Sequence, residues 1–343
     1  MPAGNPQAGD VHVNVPLTNM SVAYIQDQQS KFIADRVFPN ISVPKQSDRY
    51  WTYSRADFNR DEMQERADGA ETAGGGYDLD NTANYYAPVY GYHKDISDRV
   101  RANEDTPLNS DRDAMQFSTL KGLIKREAMW ATKFFKPGVW AYGEVGAEAV
   151  VEADEFLQWN DALSTPIEDI RTAKRTIGEA TGFTPNNITL GKAVYDALVD
   201  HPDIIDRVKY GQTAGAPAMA NRSTLAQLFE LDEVLVAEAI VNRGARGASY
   251  ADSATNEASG FILGNHALLS YRAPSPSLMM PSAGYTFSWT GYLGAGAMGQ
   301  RIKKFRMEAL ASDRVEMEMA FDQKAVATDL GYFFENATHN PAS

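Results

Sequence analysis

The chain has no cysteine, which removes disulfides, thiolate metal sites and cysteine nucleophiles together. Its histidines, His12, His93, His201, His266 and His339, include no pair at H-x-x-x-H spacing, so a helical metal-ligand pair is missing as well. There is no G-x-S-x-G elbow for a serine nucleophile, no Walker loop and no H-E-x-x-H. No apolar run reaches membrane-spanning length. The first fifteen residues lack the basic-then-apolar order of a secretory signal. The Asn-x-Ser/Thr triplets at Asn40 and Asn187 then read as chance matches to a loose pattern. Basic residues are also scarce, and the formal net charge is -13. Nucleic-acid binding needs a basic face that displaces counterions from phosphate, and no basic run exists. The densest cluster, Arg301, Lys303, Lys304 and Arg306, reads as the solvated edge of a sheet, where charge prevents stray pairing.

What is present is ordinary globular material: 43% hydrophobic and 22% charged residues over 343 positions. That suffices for a substantial core in one large domain or two average ones. The unusual part is the beginning. Residues 1 to about 20 are rich in Pro, Gly and Asn, a composition that packs only when something else holds it, and a neighbouring subunit is the expected holder. Residues 21–37 predict a short helix with Ser21 as N-cap. Pro39 and Pro44 then enforce an extended path. RYWTYSR (49–55) and 77–97, with Tyr85, Tyr86, Tyr90 and Tyr92, both alternate like strands. Between them lies a polar stretch charged in both signs. Together 49–97 predict a long two-stranded projection with a charged tip, which is marginal in water and needs another surface to lie on.

The clearest helix is 110–136. Ser110 and Asp113 have capping-box spacing, and Pro137-Gly138 ends it. Phe117, Leu120, Ile124, Ala128, Ala131 and Phe135 recur at steps of three and four, widened by Leu123, Trp130 and Phe134, and predict its buried face. At 1.5 Å per residue it spans roughly 40 Å, a backbone for an elongated subunit. Further on, helix 166–182, strand 187–191, a helix over 192–209 interrupted at His201-Pro202, helix 223–229 and strand 231–241 alternate as in a compact mixed domain. His201 reads as a helix-end residue. Residues 243–259 read as a loop. From 260 the pattern is mainly β. In RVEMEMAF, Val315, Met317, Met319 and Phe321 alternate with Glu316, Glu318 and Ala320, a strand with one wet face. The methionines read as core filling.

One motif points to a cofactor. Gly294-Ala295-Gly296-Ala297-Met298-Gly299 fits G-x-G-x-x-G, with Glu316 at the spacing of a ribose-binding acid. The chain left after it is too short for the rest of a doubly wound sheet, and no βαβ unit leads into it. A dinucleotide-dependent enzyme built on Gly294–Gly299 is kept as an alternative from another class, as is another β-rich assembly protein.

The order of these segments resembles the major capsid proteins of tailed bacteriophages, which have the Hong Kong 97-type fold. FIADRVFPNISVPKQSDRYWTYSR looks like the N-terminal arm entering the extended loop, and 110–136 like the spine helix. NNITLGKAVYDALVDHPDIIDRVKYG and TLAQLFELDEVLVAEAIVNRG look like successive segments of the axial domain, and RVEMEMAFDQKAVATDLGYFFENA like the closing strands. The resemblance implies an α+β subunit: arm 1–45, extended β-hairpin loop 46–98, peripheral domain 99–160 with the spine helix, axial domain 161–285, and C-terminal strands 286–343 returning to the peripheral domain. It implies a structural protein without catalysis or cofactor, forming hexamers and pentamers of an icosahedral head assembled in a bacterial cytoplasm. That head holds double-stranded DNA without reading its sequence. Scaffolding protein, portal and a decoration protein are the implied partners, and no membrane is involved. Since the arm begins within the first twenty residues, a cleavable scaffolding segment is expected to be absent or already removed. The acidic charge suits a lining that must release DNA. Lys94 lies near the loop base, but nothing around it in the sequence supports the cross-linking seen in some members. The residues expected to lie on adjacent subunits are Phe32, Phe38, Trp51, Tyr53, Arg55, Arg60, Glu62, Glu65, Arg66, Tyr85, Tyr86, Tyr90 and Tyr92. Aromatics supply large rigid contacts there, and the charged tip sets register through rim pairs that are individually weak. The spine-helix core is expected to be Phe117, Leu120, Ile124, Trp130 and Phe135.

Overall fold

The computed structural model describes residues 15–28, 30–53, 55–104, 109–149, 151–211, 220–243, 259–275, 281–292, 295–296 and 298–339. Residues 1–14 of the expected ordered tail (1 to about 20) and nearly all of the expected loop 243–259 lie outside them, while residues 15–20 are helical.

Two sheets organise the chain. The first has five strands. Ser312–Ala325 is central, lying between Gln300–Met307 and Val89–Ser97, and farther along pairs with Gly284–Trp289, which carries Asn40–Val43 in parallel at the edge. The predicted alternation holds: Val315, Met317, Met319 and Phe321 are all buried. Their face receives the long helix Ser110–Phe134. Gly122 allows the close approach, because a Cβ there would meet the Met319 sulfur at 2.6 Å. The second sheet has six strands in the order Glu233–Ala237, Asn187–Gly191, Ala267–Ser270, Gly331–Glu335, Tyr142–Ala147, Glu155–Leu157. Helices Pro166–Thr181, Lys192–Val199, Pro202–Gly211 and Arg222–Phe229 belong to this half. Two of them end as the sequence predicts. Gly182 closes the first in the left-handed region (φ 76°). His201 is buried at the second break, where its Nδ1 accepts the N–H of Asp203 (3.2 Å).

Several expectations need correction. The helix expected at 21–37 is two: Val15–Gln28 and the single turn Ala34–Val37. The long helix is capped by Asn109, whose Oδ1 accepts from the Arg112 N–H (2.9 Å), and not by Ser110. Val89–Ser97 belongs to the five-stranded sheet and not to the projection. Tyr142–Ala147 and Glu155–Leu157, expected in the peripheral domain, belong to the six-stranded sheet. So does Gly331–Glu335, expected to return to the peripheral sheet with the other C-terminal strands.

The buried face of the long helix is also rotated from the expected one. Phe117 is 42% exposed, while Ala114, Met115, Ser118, Thr119, Leu123, Arg126, Glu127, Trp130 and Phe134 are buried. Leu120 and Ile124 are only half-buried. Trp130 and Phe135 are core residues as expected, the latter just past the helix end. Four polar residues occupy the buried face, so counting apolar positions selects the neighbouring stripe.

Candidate assembly surfaces

The arm is seated by the long helix. Glu127 Oε2 accepts the backbone N–H groups of Ile33 (3.1 Å) and Ala34 (2.9 Å), which open the turn Ala34–Val37. A helix start leaves such donors without intrahelical partners. Beside it Arg126 pairs with Asp35 (2.7 Å), donates to Asn40 Oδ1 (3.2 Å) and Ser288 Oγ (3.4 Å), and lies over the Phe321 ring. Burial dominates the titration here. It pushes the Asp35 carboxyl up despite Arg126, and it raises Glu127 to about 7 against the pull of its two N–H donors. On the other side Arg36 pairs with Glu233, and Arg272 joins the Arg36 carbonyl (2.6 Å) to the same glutamate (3.1 Å). The arm is thereby tied to both halves of the chain. Phe38 is fully buried among Trp130, Phe134 and Trp140 and lies against Gly284, where any side chain would collide with its ring. Phe38 is therefore removed from the expected intersubunit set. Phe32 is half-buried and packs against both main cores.

Farther on, the two-stranded projection forms as expected, though with short ladders. Ser47–Arg49 pairs with Asn84–Tyr86, and Thr52–Tyr53 with Leu79–Asp80. Its base is fixed. Tyr85 is buried and stacked on Phe287 (4.7 Å, 9°), so it too is an own-chain core residue. The Tyr86 N–H donates to Asp322 (3.1 Å), while its ring is exposed. Beyond the ladders Tyr53 meets Phe58 (5.9 Å) and Tyr77 (5.8 Å) in a small aromatic knob. Trp51 is 50% exposed. Every residue from 58 to 82 is exposed, Glu62, Glu65 and Arg66 included. Arg60 reaches Asp57 (3.3 Å) and Glu62 (3.7 Å). Arg55 begins the turn Arg55–Phe58, and its side chain lies outside the described residues. Tyr90 and Tyr92 sit on the five-stranded sheet instead of the projection, against Phe321 (5.3 Å) and Phe117 (5.7 Å).

The basic cluster on Gln300–Met307 is an edge strand, as expected, but its charges are paired. Arg301 meets Glu318, Lys303 meets Glu316 and Glu318, Lys304 meets Asp111, and Arg306 meets Asp98 and Asp313. The glycine motif leads into this strand. Gly294 and Ala297 lie outside the described residues. Gly299 (φ 66°) turns directly into Gln300, so no helix N-terminus follows to receive a pyrophosphate. Among the described residues no group of three or more His, Asp or Glu side chains could hold a metal, and no helix is long and apolar enough to cross a membrane.

Comparison with known proteins agrees with this architecture. A family model described as "Phage major capsid protein E" matches residues 150–271. The major capsid protein of Pseudomonas phage JBD67 is 26% identical over 332 residues, covering 95% of this chain and 97% of the relative. A phage-related protein from Bordetella bronchiseptica RB50 has a similar structure at TM-score 0.71 and 20% identity, covering 96% of this chain and 99% of that one. The capsid of the cyanophage P-SCSP1u is similar at TM-score 0.50 and 12% identity, over 86% and 84% of the two chains. The neighbours share the α+β Hong Kong 97-type fold, and the sequence is similar along nearly its whole length to a phage major capsid protein, which supports a structural capsid role.

Proposed function

We propose that this chain tiles a closed icosahedral head as hexamers and pentamers and that double-stranded DNA fills the head. The observation that carries this reading is the projection. Its base is locked into the chain's own sheet by Tyr85 and Asp322, while everything from 58 to 82 stands in water. Ordered chain with no core of its own gains stability by lying on a second copy. Trp51, Tyr53, Tyr86 and the residues Arg55 to Glu71 then meet the neighbour, the aromatics supplying area and the charges register. The arm, about 1–45, is the second element through which the chain holds neighbours. The five-stranded half with the spine helix is the peripheral domain, and the six-stranded half, Gly331–Glu335 included, is the axial domain. Scaffolding protein, portal and a decoration protein are the further partners, and assembly takes place in the host bacterial cytoplasm. Electron microscopy of the purified protein under assembly conditions is expected to find closed shells. A persistent small oligomer overturns the reading.

A further inference from the structure

The sequence contains no basic run, yet the fold builds a basic face from separate segments. Lys94 on Val89–Ser97 and Lys121 and Lys125 on the long helix are all exposed. None of the three has an ion-pair partner among the described residues, whereas Arg301, Lys303, Lys304, Arg306 and Arg314 of the same half are each matched to carboxylates. The nearby acids are already engaged: Asp95 by Arg314 (2.7 and 2.9 Å), Asp113 by Arg112 (3.5 Å) and Asp111 by Arg101 (2.9 Å) and Lys304 (2.6 Å).

Aromatic rings set these lysines in place. Lys121 lies over Phe117 (5.3 Å to the ring centre) and Lys125 over Tyr90 (5.4 Å), and Tyr92 meets Phe117 edge-on (5.7 Å). A ring under the stem holds an ammonium at the surface with its N–H groups still turned to water. Lys121 and Lys125 are one turn apart, about 6 Å along the axis. At the other end of the face, Lys94 borders an open cleft of about 430 Å³ beside Ser110 and Ala114, at the start of the same helix.

We infer that this face, Lys94, Lys121 and Lys125 around Tyr90, Tyr92 and Phe117, is a contact for the phosphate backbone of duplex DNA. Charge complementarity carries the assignment, since uncompensated ammonium groups on a protein of net charge -13 mark the place where a polyanion is tolerated. The groups are lysines with no hydrogen-bonding base readers among them. They act as point charges that attract phosphate without reading sequence. A few such charges per subunit give weak contacts, each easily broken. The inference deepens the proposed function and rests on it, because it places this face on the lumenal side of the shell.

The test uses the full chain as unassembled subunits, a fluorescent duplex of mixed sequence, and anisotropy titrations across salt concentrations. Wild-type protein is expected to bind, with affinity falling as salt rises. Lys94→Gln/Lys121→Gln/Lys125→Gln should weaken binding about 10-fold or more and make the log–log salt slope shallower by about 3. The corresponding Lys→Arg triple should bind like wild type. So should Arg171→Gln/Arg175→Gln/Lys209→Gln, which makes the same charge change on the other half. Absence of wild-type binding, a Gln triple that binds normally, or an equal loss in the control triple each overturns the inference. A Gln triple that binds duplex normally but no longer binds a synthetic peptide of residues 57–80 overturns it in favour of a seat for a neighbour's acidic loop. Shells are scored separately by microscopy. Missing wild-type shells count against the proposed function, whereas normal shells with duplex binding insensitive to the lysines count against this inference alone.

Discussion

In the arm, Asp35 meets Arg126, Arg36 meets Glu233, and the Ile33 and Ala34 N–H groups meet Glu127, with Arg126 and Glu127 both buried. In the loop that follows, Arg60, Glu62, Glu65 and Arg66 carry similar charges, all of them in water. A buried charge tolerates one arrangement, because leaving it unpaired costs several kcal/mol. An exposed charge distinguishes among arrangements by at most about 1 kcal/mol. The first region therefore fixes how the chain meets itself. The second leaves its conformation to be chosen by whatever it lies on, which suits an element meeting neighbours in slightly different geometries.

The comparison breaks most directly at Arg126. Arg126→Met strands Asp35 and removes the donor to Asn40 and Ser288, and urea unfolding should show a loss of about 3–5 kcal/mol. Adding Asp35→Leu should recover more than half of it. A single-variant loss below about 1 kcal/mol would mean that the seat is wet and the contrast with the loop is false.

Glu127 tests the same seat through pH. Its folded value, about 7, lies above the ordinary 4.5 because burial penalises the carboxylate. The folded chain holds this proton more tightly than the unfolded chain. The group's contribution to stability is full below about 4.5 and is lost as pH rises through about 7, a change on the order of 3 kcal/mol. Glu127→Gln keeps an acceptor for the Ile33 and Ala34 N–H groups and cannot ionise. Melting curves between pH 5 and 8 should therefore fall with pH more steeply for wild type than for the variant. Parallel curves would remove Glu127 from the seat's energetics.

What could be read from the sequence follows the same division. The strand through 315–321 was legible because alternation is local and Val315, Met317, Met319 and Phe321 are all apolar. The helix breaks at Gly182 and His201-Pro202 were legible for the same reason, each being written in adjacent residues. The face of the long helix was not, because Arg126 and Glu127 are buried through partners as distant as Asp35 and Ala34, and Ser118 and Thr119 are buried on the same helix. The placement of Gly331–Glu335 in the six-stranded sheet had no local mark, since a strand buried on both faces over Gly331–Phe334 fits either sheet. Of the assembly residues, the loop's exposed aromatics were recognisable as a class. The difference between Tyr85 and Tyr86 depends on Phe287, some two hundred positions away. The lysine face escaped because it joins Lys94 to Lys121 and Lys125 across a chain reversal.

That adjacent pair sharpens the boundary between anchored base and free projection. Tyr85→Ala should lose about 2 kcal/mol by removing a buried ring stacked on Phe287. Tyr86→Ala should stay within about 0.5 kcal/mol, because its backbone N–H, not its ring, holds Asp322. Denaturant midpoints of the two variants decide it. Equal losses would move the boundary outward, past Tyr86.

The smallest expected effect on stability comes from the largest excision. Replacing 61–76 with two glycines removes only exposed residues. The ends are close, as the Asp78 N–H already donates to Asp57 (3.0 Å), and the aromatic knob of Tyr53, Phe58 and Tyr77 is kept. Subunit stability should change by less than about 0.5 kcal/mol, while shell formation under assembly conditions is lost. A variant that melts like wild type and still closes shells would show that the loop's charges do not hold neighbours, leaving the arm and the base aromatics to do so. A variant that unfolds would show that the loop packs on its own chain, and the contrast between a sealed seat and an open projection would fail at its second half.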